Sequence, residues 1–223
     1  FVSNASHELR TPLTSITGQI EVSLLNPRSQ EEYQTILESV LEDIKNLNAL
    51  SNGLLDLAKA SSDISAIALQ PLRIDEILWE TRTELINRKN DYKISIEFSH
   101  PIDDETELII NGNLHLLKIA IANLMDNGCK FSETKSVAVF LSVKNGHIEI
   151  EFIDKGVGID PTDLDKIFHP FYRTNAAKNI AGNGLGLALS SKIISLHRGA
   201  ISVRSQPSDG TKVIVCLPVY TGK

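Results

Sequence analysis

Two apolar stripes separated by a four-residue break constrain this chain more than any other feature. Between residues 30 and 60, apolar or small residues stand at Tyr33, Leu37, Val40, Ile44, Leu47, Ser51, Leu54 and Ala58. Their spacing alternates four and three, the heptad of a coiled-coil seam, and predicts one long helix. Upstream, Val2, Ala5, Leu9, Leu13, Ile16, Ile20 and Leu24 fall in one narrow stripe at a helical period, predicting a helix over residues 1–25. The break is Asn26-Pro27-Arg28-Ser29, where asparagine before proline stops one helix and serine caps the next. Two antiparallel helices cannot cover both stripes. Doubling the hairpin into a four-helix bundle covers them, so a homodimer through residues 1–60 is the physical expectation.

Away from the first stripe runs Ser6-His7-Glu8-Leu9-Arg10-Thr11-Pro12-Leu13. His7 projects about 150° from the middle of the stripe, toward water. Thr11 lies one turn along the same face, and Glu8 is the immediate neighbour. Pro12 removes a backbone donor and crowds the Glu8 carbonyl, predicting a kink beside His7. A solvated histidine is ordinary in isolation; the rest of the chain gives this one a role.

A formal net charge of −6 offers no basic footprint for nucleic acid and speaks against an anionic membrane surface as partner. The two cysteines, Cys129 and Cys216, stand alone in apolar runs, as reduced core residues rather than a disulfide framework or metal site. No apolar stretch approaches membrane-spanning length, so no direct membrane contact is expected of this piece. The start at Phe1 suggests a fragment of something longer, with any sensor or membrane segment upstream of it.

The pattern divides the chain into a helical domain over 1–62, a linker over 63–70 and a mixed domain over 71–223, an α+β multidomain class. In the mixed domain a helix is expected over 75–90 and strands over Lys93–Phe98 and Glu107–Ile110, followed by a helix from Asn113 to Lys130. Strands Val137–Val143 and His147–Ile153 meet at Asn145-Gly146, a strong hairpin-turn signal. Residues 155–184 are too long and glycine-rich for a plain connection and read as a functional lid. A helix over 185–197 and strands Ala200–Arg204 and Lys212–Leu217 complete the domain.

Asn123, Asn127 and Lys130 share one face of a largely apolar helix, where two amides and an ammonium need something to satisfy them. Amide oxygens suit magnesium and lysine suits phosphate, although capping or mutually bonded amides are the plainer alternative. Asp154-Lys155-Gly156-Val157-Gly158 ends an alternating strand. A carboxylate held there can accept the exocyclic amine of adenine, and glycines let backbone approach a flat ligand. Gly182-Asn183-Gly184-Leu185-Gly186-Leu187 feeds a helix N-terminus, where amide hydrogens can face phosphate. It is neither a Rossmann fingerprint nor a P-loop, and the His7-Glu8 run lacks the second histidine of a zinc HExxH site. Phe168-His169-Pro170-Phe171-Tyr172-Arg173 could clamp a lid, with Arg173 within reach of a terminal phosphate.

In this order the five segments resemble the H, N, G1, F and G2 boxes in the transmitter region of bacterial sensor histidine kinases. The resemblance covers essentially the whole chain. It implies a dimerisation and phosphotransfer hairpin, followed by an α/β sandwich ATP-binding domain of the type shared with gyrase, Hsp90 and MutL. It further implies that His7 accepts the γ-phosphoryl group of ATP, that Glu8 prepares its imidazole, and that Thr11 positions water in a phosphatase reaction. Asn123 and Asn127 would hold Mg2+, Lys130 and Arg173 phosphate oxygens, and Asp154 the adenine flanked by Phe131. Gly156, Gly158, Gly182, Gly184 and Gly186, with Leu185, would shape the pocket and lid. The implied partner is the receiver domain of a response regulator, phosphorylated on aspartate. The implied location is cytoplasmic, as a fragment of an inner-membrane sensor protein. Gly128 stands where the family usually has alanine, and His197-Arg198-Gly199-Ala200 replaces a common His-Gly-Gly run. His100, His115, His147, His169 and His197 show no metal spacing and read as structural or solvated. Two other functions fit parts of the pattern: a nucleotide-gated dimer that never phosphorylates itself, and a gyrase- or Hsp90-like ATPase. The exposed His7 run argues against the ATPase.

Overall fold

The computed structural model describes residues 2–61, 68–102, 104–177, 180 and 182–222. They form two compact units, residues 1–59 and 60–223. The first is a helical hairpin of α1 (Val2–Leu25) and α2 (Gln30–Ser61), and α1 stays helical through Pro12. Ser29 and Glu32 set the start of α2 by a reciprocal capping box. The Ser29 amide donates to Glu32 Oε2 at 2.9 Å, and the Glu32 amide to Ser29 Oγ at 3.2 Å. Ser15 Oγ and Gln19 Nε2 both donate to Asp43 Oδ2, at 3.0 and 3.2 Å, and fix the antiparallel alignment. The hairpin buries Val40 but leaves Leu13, Leu24 and Leu37 exposed at 50%, 77% and 65%. Both apolar stripes therefore keep an uncovered edge.

The second unit is a two-layer sandwich. Its elements are β1 (Gln70–Arg73), α3 (Ile74–Arg88), β2 (Lys93–Phe98), β3 (Ile109–Gly112), α4 (Leu114–Phe131), β4 (Ser136–Lys144), β5 (His147–Asp154), α5 (Gly186–Leu196), β6 (Ala200–Ser205) and β7 (Thr211–Pro218). Five strands form a sheet in the order β2-β4-β5-β7-β6, with β2 parallel to β4 and the other neighbours antiparallel. Helical Ile74, Leu117, Ile121 and Leu124 meet Ile150, Phe152, Val215 and Leu217 of the sheet in the core. Alternation along β5 buries Ile148, Ile150 and Phe152, and the same period carries Asp154 to the helix-facing side. Asn145 and Gly146, with φ of 52° and 72°, make the hairpin turn between β4 and β5.

One expected strand shifts, and one strand went unread. The strand expected at Glu107–Ile110 lies at Ile109–Gly112, because residues Glu105–Leu108 form a 3₁₀ turn. Asp104 starts that turn by accepting from the Thr106 amide at 2.9 Å. Strand β1, which has no alternating signal and contains Pro71, pairs with β3 in a separate two-stranded sheet.

Helix α5 ends in a Schellman motif. The Arg198 amide donates to Ser195 O at 3.0 Å and the Gly199 amide to Ile194 O at 2.9 Å, with Arg198 held at φ 57°. Glycine is favoured at that left-handed position, and a side chain there costs about 1 kcal/mol. Arg198→Gly is therefore expected to stabilise the unit by about 0.5–1 kcal/mol after the unfolded chain's added freedom is counted. That corresponds to about 1–4 °C in Tm, readable by thermal denaturation; an unchanged or lower Tm counts against it.

Candidate functional site

One face of α4, the end of β5 and the glycine-rich segment after it surround a cavity of about 220 Å³. Helix α4 starts where Asn113 caps it, its Oδ1 accepting from the Leu116 amide at 3.1 Å. Helical periodicity then sends Asn123, Asn127 and Lys130 to the cavity wall, while Leu117, Ile121 and Met125 are buried in the core. Neither asparagine amide has a hydrogen-bond partner among the described residues. Satisfied capping amides are thereby set aside, and two amide oxygens stand ready for a ligand. Phe131, the last residue of α4, lines the same wall.

Asp154 is 8% exposed, with Oδ1 accepting from the Gly156 amide at 2.9 Å and a second backbone bond from Thr211. Burial pushes its carboxyl up to about 6, against the lowering effect of those two amides. Its remaining acceptor capacity faces the cavity. Thr211 is its cross-strand partner, and Val203 and Val213 extend the apolar floor beneath. A flat heterocycle with an amine edge suits such a slot: apolar walls around one charged acceptor.

Gly158 lines the cavity at φ +70°, and a Cβ there would fall 1.9 Å from the Gln206 carbonyl oxygen. Gly156 lies behind the wall; a Cβ would come within 2.2 Å of Phe131 O, so glycine lets the loop close against the end of α4. Gly182, Gly184 and Gly186 line the other side, at the N-terminus of α5. Leu185 does not line the cavity: it is the 2%-exposed residue just before α5. Arg173 lines the cavity, yet its guanidinium donates to the carbonyls of Ala177 and Ile180 within the lid. The lid is further tied by the Phe171 amide to Gly184 O at 3.0 Å and by Tyr172 Oη to Asp163 at 2.7 Å. Phe168 and Phe171 are half-buried. His7, Glu8 and Thr11 belong to α1; their side chains lie outside the described set.

Sequence reasoning missed Asp126, Val157, Ile167, Tyr172, Thr174, Ala177, Ile180 and Thr211 on the wall. Asp126 carried a readable signal, four residues before Lys130 on one helical face. Among the described residues no group of three or more His, Cys, Asp or Glu could hold a metal ion, and no helix is long and apolar enough to cross a membrane.

Residues 1–63 match the His Kinase A (phospho-acceptor) domain family, and residues 112–221 match the histidine kinase-, DNA gyrase B- and HSP90-like ATPase family. The chain is 30% identical to the sensor histidine kinase AtsR of Burkholderia thailandensis, over 98% of this chain and 37% of that protein. It is 31% identical to the sensor histidine kinase CpxA of Escherichia coli, over 99% of this chain and 47% of that one. It therefore spans less than half the length of either relative. The solved complex of the histidine kinase ThkA with the response regulator TrrA superposes with TM-score 0.76 at 20% identity, over 98% of this chain and 61% of that one. The chain belongs to the sensor histidine kinases of two-component signalling, whose transmitter region it carries. Its second unit is of the ATP-using kind.

Proposed function

We propose that the chain phosphorylates itself on His7 with ATP and passes the phosphoryl group to an aspartate on the receiver domain of a response regulator. One observation supports this most: Asp154, Asn123, Asn127 and Lys130 converge on a single cavity in a chain whose hairpin carries His7 beside Glu8. Adenine sits against Phe131 with its exocyclic amine on Asp154; Lys130 and the amides at the start of α5 take phosphate oxygens. Asn123 and Asn127 hold Mg2+ through side-chain oxygens, a fit supported by their unengaged amides, and the ion neutralises phosphate charge when bound. In the transfer, an imidazole nitrogen of His7 forms a bond to the γ-phosphorus as the bond to the ADP oxygen breaks. The imidazole proton passes to Glu8. Thr11, one turn on, positions water when the same surface removes the phosphoryl group from the regulator.

The uncovered edges at Leu13, Ile20, Leu24, Leu37 and Ile44 are the seam through which two hairpins form a four-helix bundle. This piece works in the cytoplasm as part of a larger sensor. Incubation with γ-labelled ATP and Mg2+ tests the reading. The expected product is a protein-bound label that is acid-labile and alkali-stable, as a phosphoramidate is. Phosphate release without bound label would favour a gyrase- or Hsp90-like ATPase, nucleotide binding without label a gated binding module, and either result overturns the proposal.

A further inference from the structure

Behind the phosphate side of the cavity lies a polar cluster of which the proposed chemistry uses Lys130 alone. Asp126 Oδ1 accepts from Lys89 Nζ at 2.7 Å and from Tyr92 Oη at 2.9 Å. Its Oδ2 meets Lys130 Nζ at 2.5 Å. Lys89 also donates to Tyr92 Oη at 2.9 Å, closing the group. Asp126 and Lys130 line the cavity, whereas Lys89, just past the end of α3, and Tyr92, 7% exposed before β2, do not. Burial penalises the Asp126 charge, but the bonds from Lys130 and Lys89 outweigh it and hold the carboxyl below its ordinary range. Burial likewise pushes the Tyr92 phenol up to about 12, so it remains a donor.

An ammonium paired with a carboxylate at this distance is not free to serve a phosphate. Releasing it from a carboxylate with no other partner would strand a largely buried charge, which is costly. Here the other oxygen already has two donors. The redundancy makes Lys130 the dispensable partner of Asp126, and the two outside residues supply it.

We propose that Asp126 is a positioning residue that stores Lys130 on the cavity wall, and that Lys89 and Tyr92 make this hold releasable by satisfying the carboxylate when Lys130 turns to nucleotide phosphate. The inference rests on the reading of the cavity as an ATP site with Lys130 on its phosphate side. Loss of either outside donor leaves Asp126 with a single partner besides Lys130 and tightens the store. Phosphate recognition then weakens although no residue touching the nucleotide has changed.

Equilibrium binding of ATP and of adenosine to the whole chain tests this, with Tyr92→Phe as the conservative variant and Lys89→Met as the stronger one. Each is expected to weaken ATP binding about three- to tenfold, the coupling usual within one polar network, and to leave adenosine binding unchanged. In a Lys130→Met background neither substitution has a further effect. No change in ATP affinity, equal losses for ATP and adenosine, or losses that persist without Lys130 overturn the inference. Failure of the unsubstituted chain to bind ATP overturns the nucleotide reading with it.

Discussion

His7→Gln is expected to abolish labelling of the chain by γ-labelled ATP, a loss on the order of 10³-fold or more, while ATP binding stays unchanged. Glutamine is a better helix former than histidine and cannot form the N–P bond. On the helical period of the sequence, position 7 lies away from the apolar stripe, so the exchange removes the nucleophile and leaves the stripe residues unchanged. The proposed nucleotide cavity draws its described walls from residues 123–213, in the other compact unit. Binding should therefore be blind to the change. The outcome is diagnostic because other histidines compete for the role. His197 is a poor candidate: it is buried, its Nε2 accepts from the Asn113 amide at 2.9 Å and its Nδ1 meets Ile193 O at 2.7 Å. His100, His115, His147 and His169 are exposed. Label surviving His7→Gln moves the acceptor to one of those four and ends the assignment.

What could be read from the sequence was what depends on neighbours a few residues apart. Heptad spacing, the Ser29 cap and the Asn145-Gly146 turn each fix local geometry, and all three features stand in the structure. So does the alternation that carries Asp154 to the buried side of β5. Features that depend on distant pairing were not legible. Strand β1 exists because β3 lies opposite it, and nothing in Gln70-Pro71-Leu72-Arg73 announces that partner. Asp126 and Lys130 carry the i,i+4 spacing of an ion pair, which a sequence can show, but the other two donors to Asp126 come from 34 and 37 residues away. Arg173 shows the limit in another form. Its type and place suggested phosphate, while the geometry of the lid gives its guanidinium two carbonyls to hold. Leu185 sat within a motif of cavity residues and yet turned into the core, because a helix start faces two ways.

Asp154→Asn is expected to weaken ATP binding by about 10- to 100-fold, the value of a hydrogen bond to a charged group, and to make the apo protein more stable above pH 6. The carboxylate only accepts, and it faces donors on every side: the Gly156 and Thr211 amides behind it and, in the proposed complex, the adenine amine in front. An asparagine amide must point its NH₂ at one of those donors, so either the turn or the base loses its partner. The pH dependence follows from the sign of the shift. Apo Asp154 titrates at about 6, above the value of about 3.9 for an unfolded aspartate. Its favourable contribution to folding is complete below pH 4 and lost as pH rises through 6, where the buried group ionises at a cost of about 3 kcal/mol at most. Adenine needs the ionised form, so binding expels a proton near pH 6, and ATP affinity falls by up to tenfold for each pH unit below that. In Asp154→Asn the stability profile loses its fall between pH 4 and 6, and the affinity profile loses its fall below pH 6. Titration calorimetry in buffers of different ionisation enthalpy reads the proton release directly, and thermal denaturation reads the stability. A flat wild-type affinity profile, or an asparagine variant that binds as tightly as aspartate, would mean that the carboxylate shapes the turn after β5 and does not read the base.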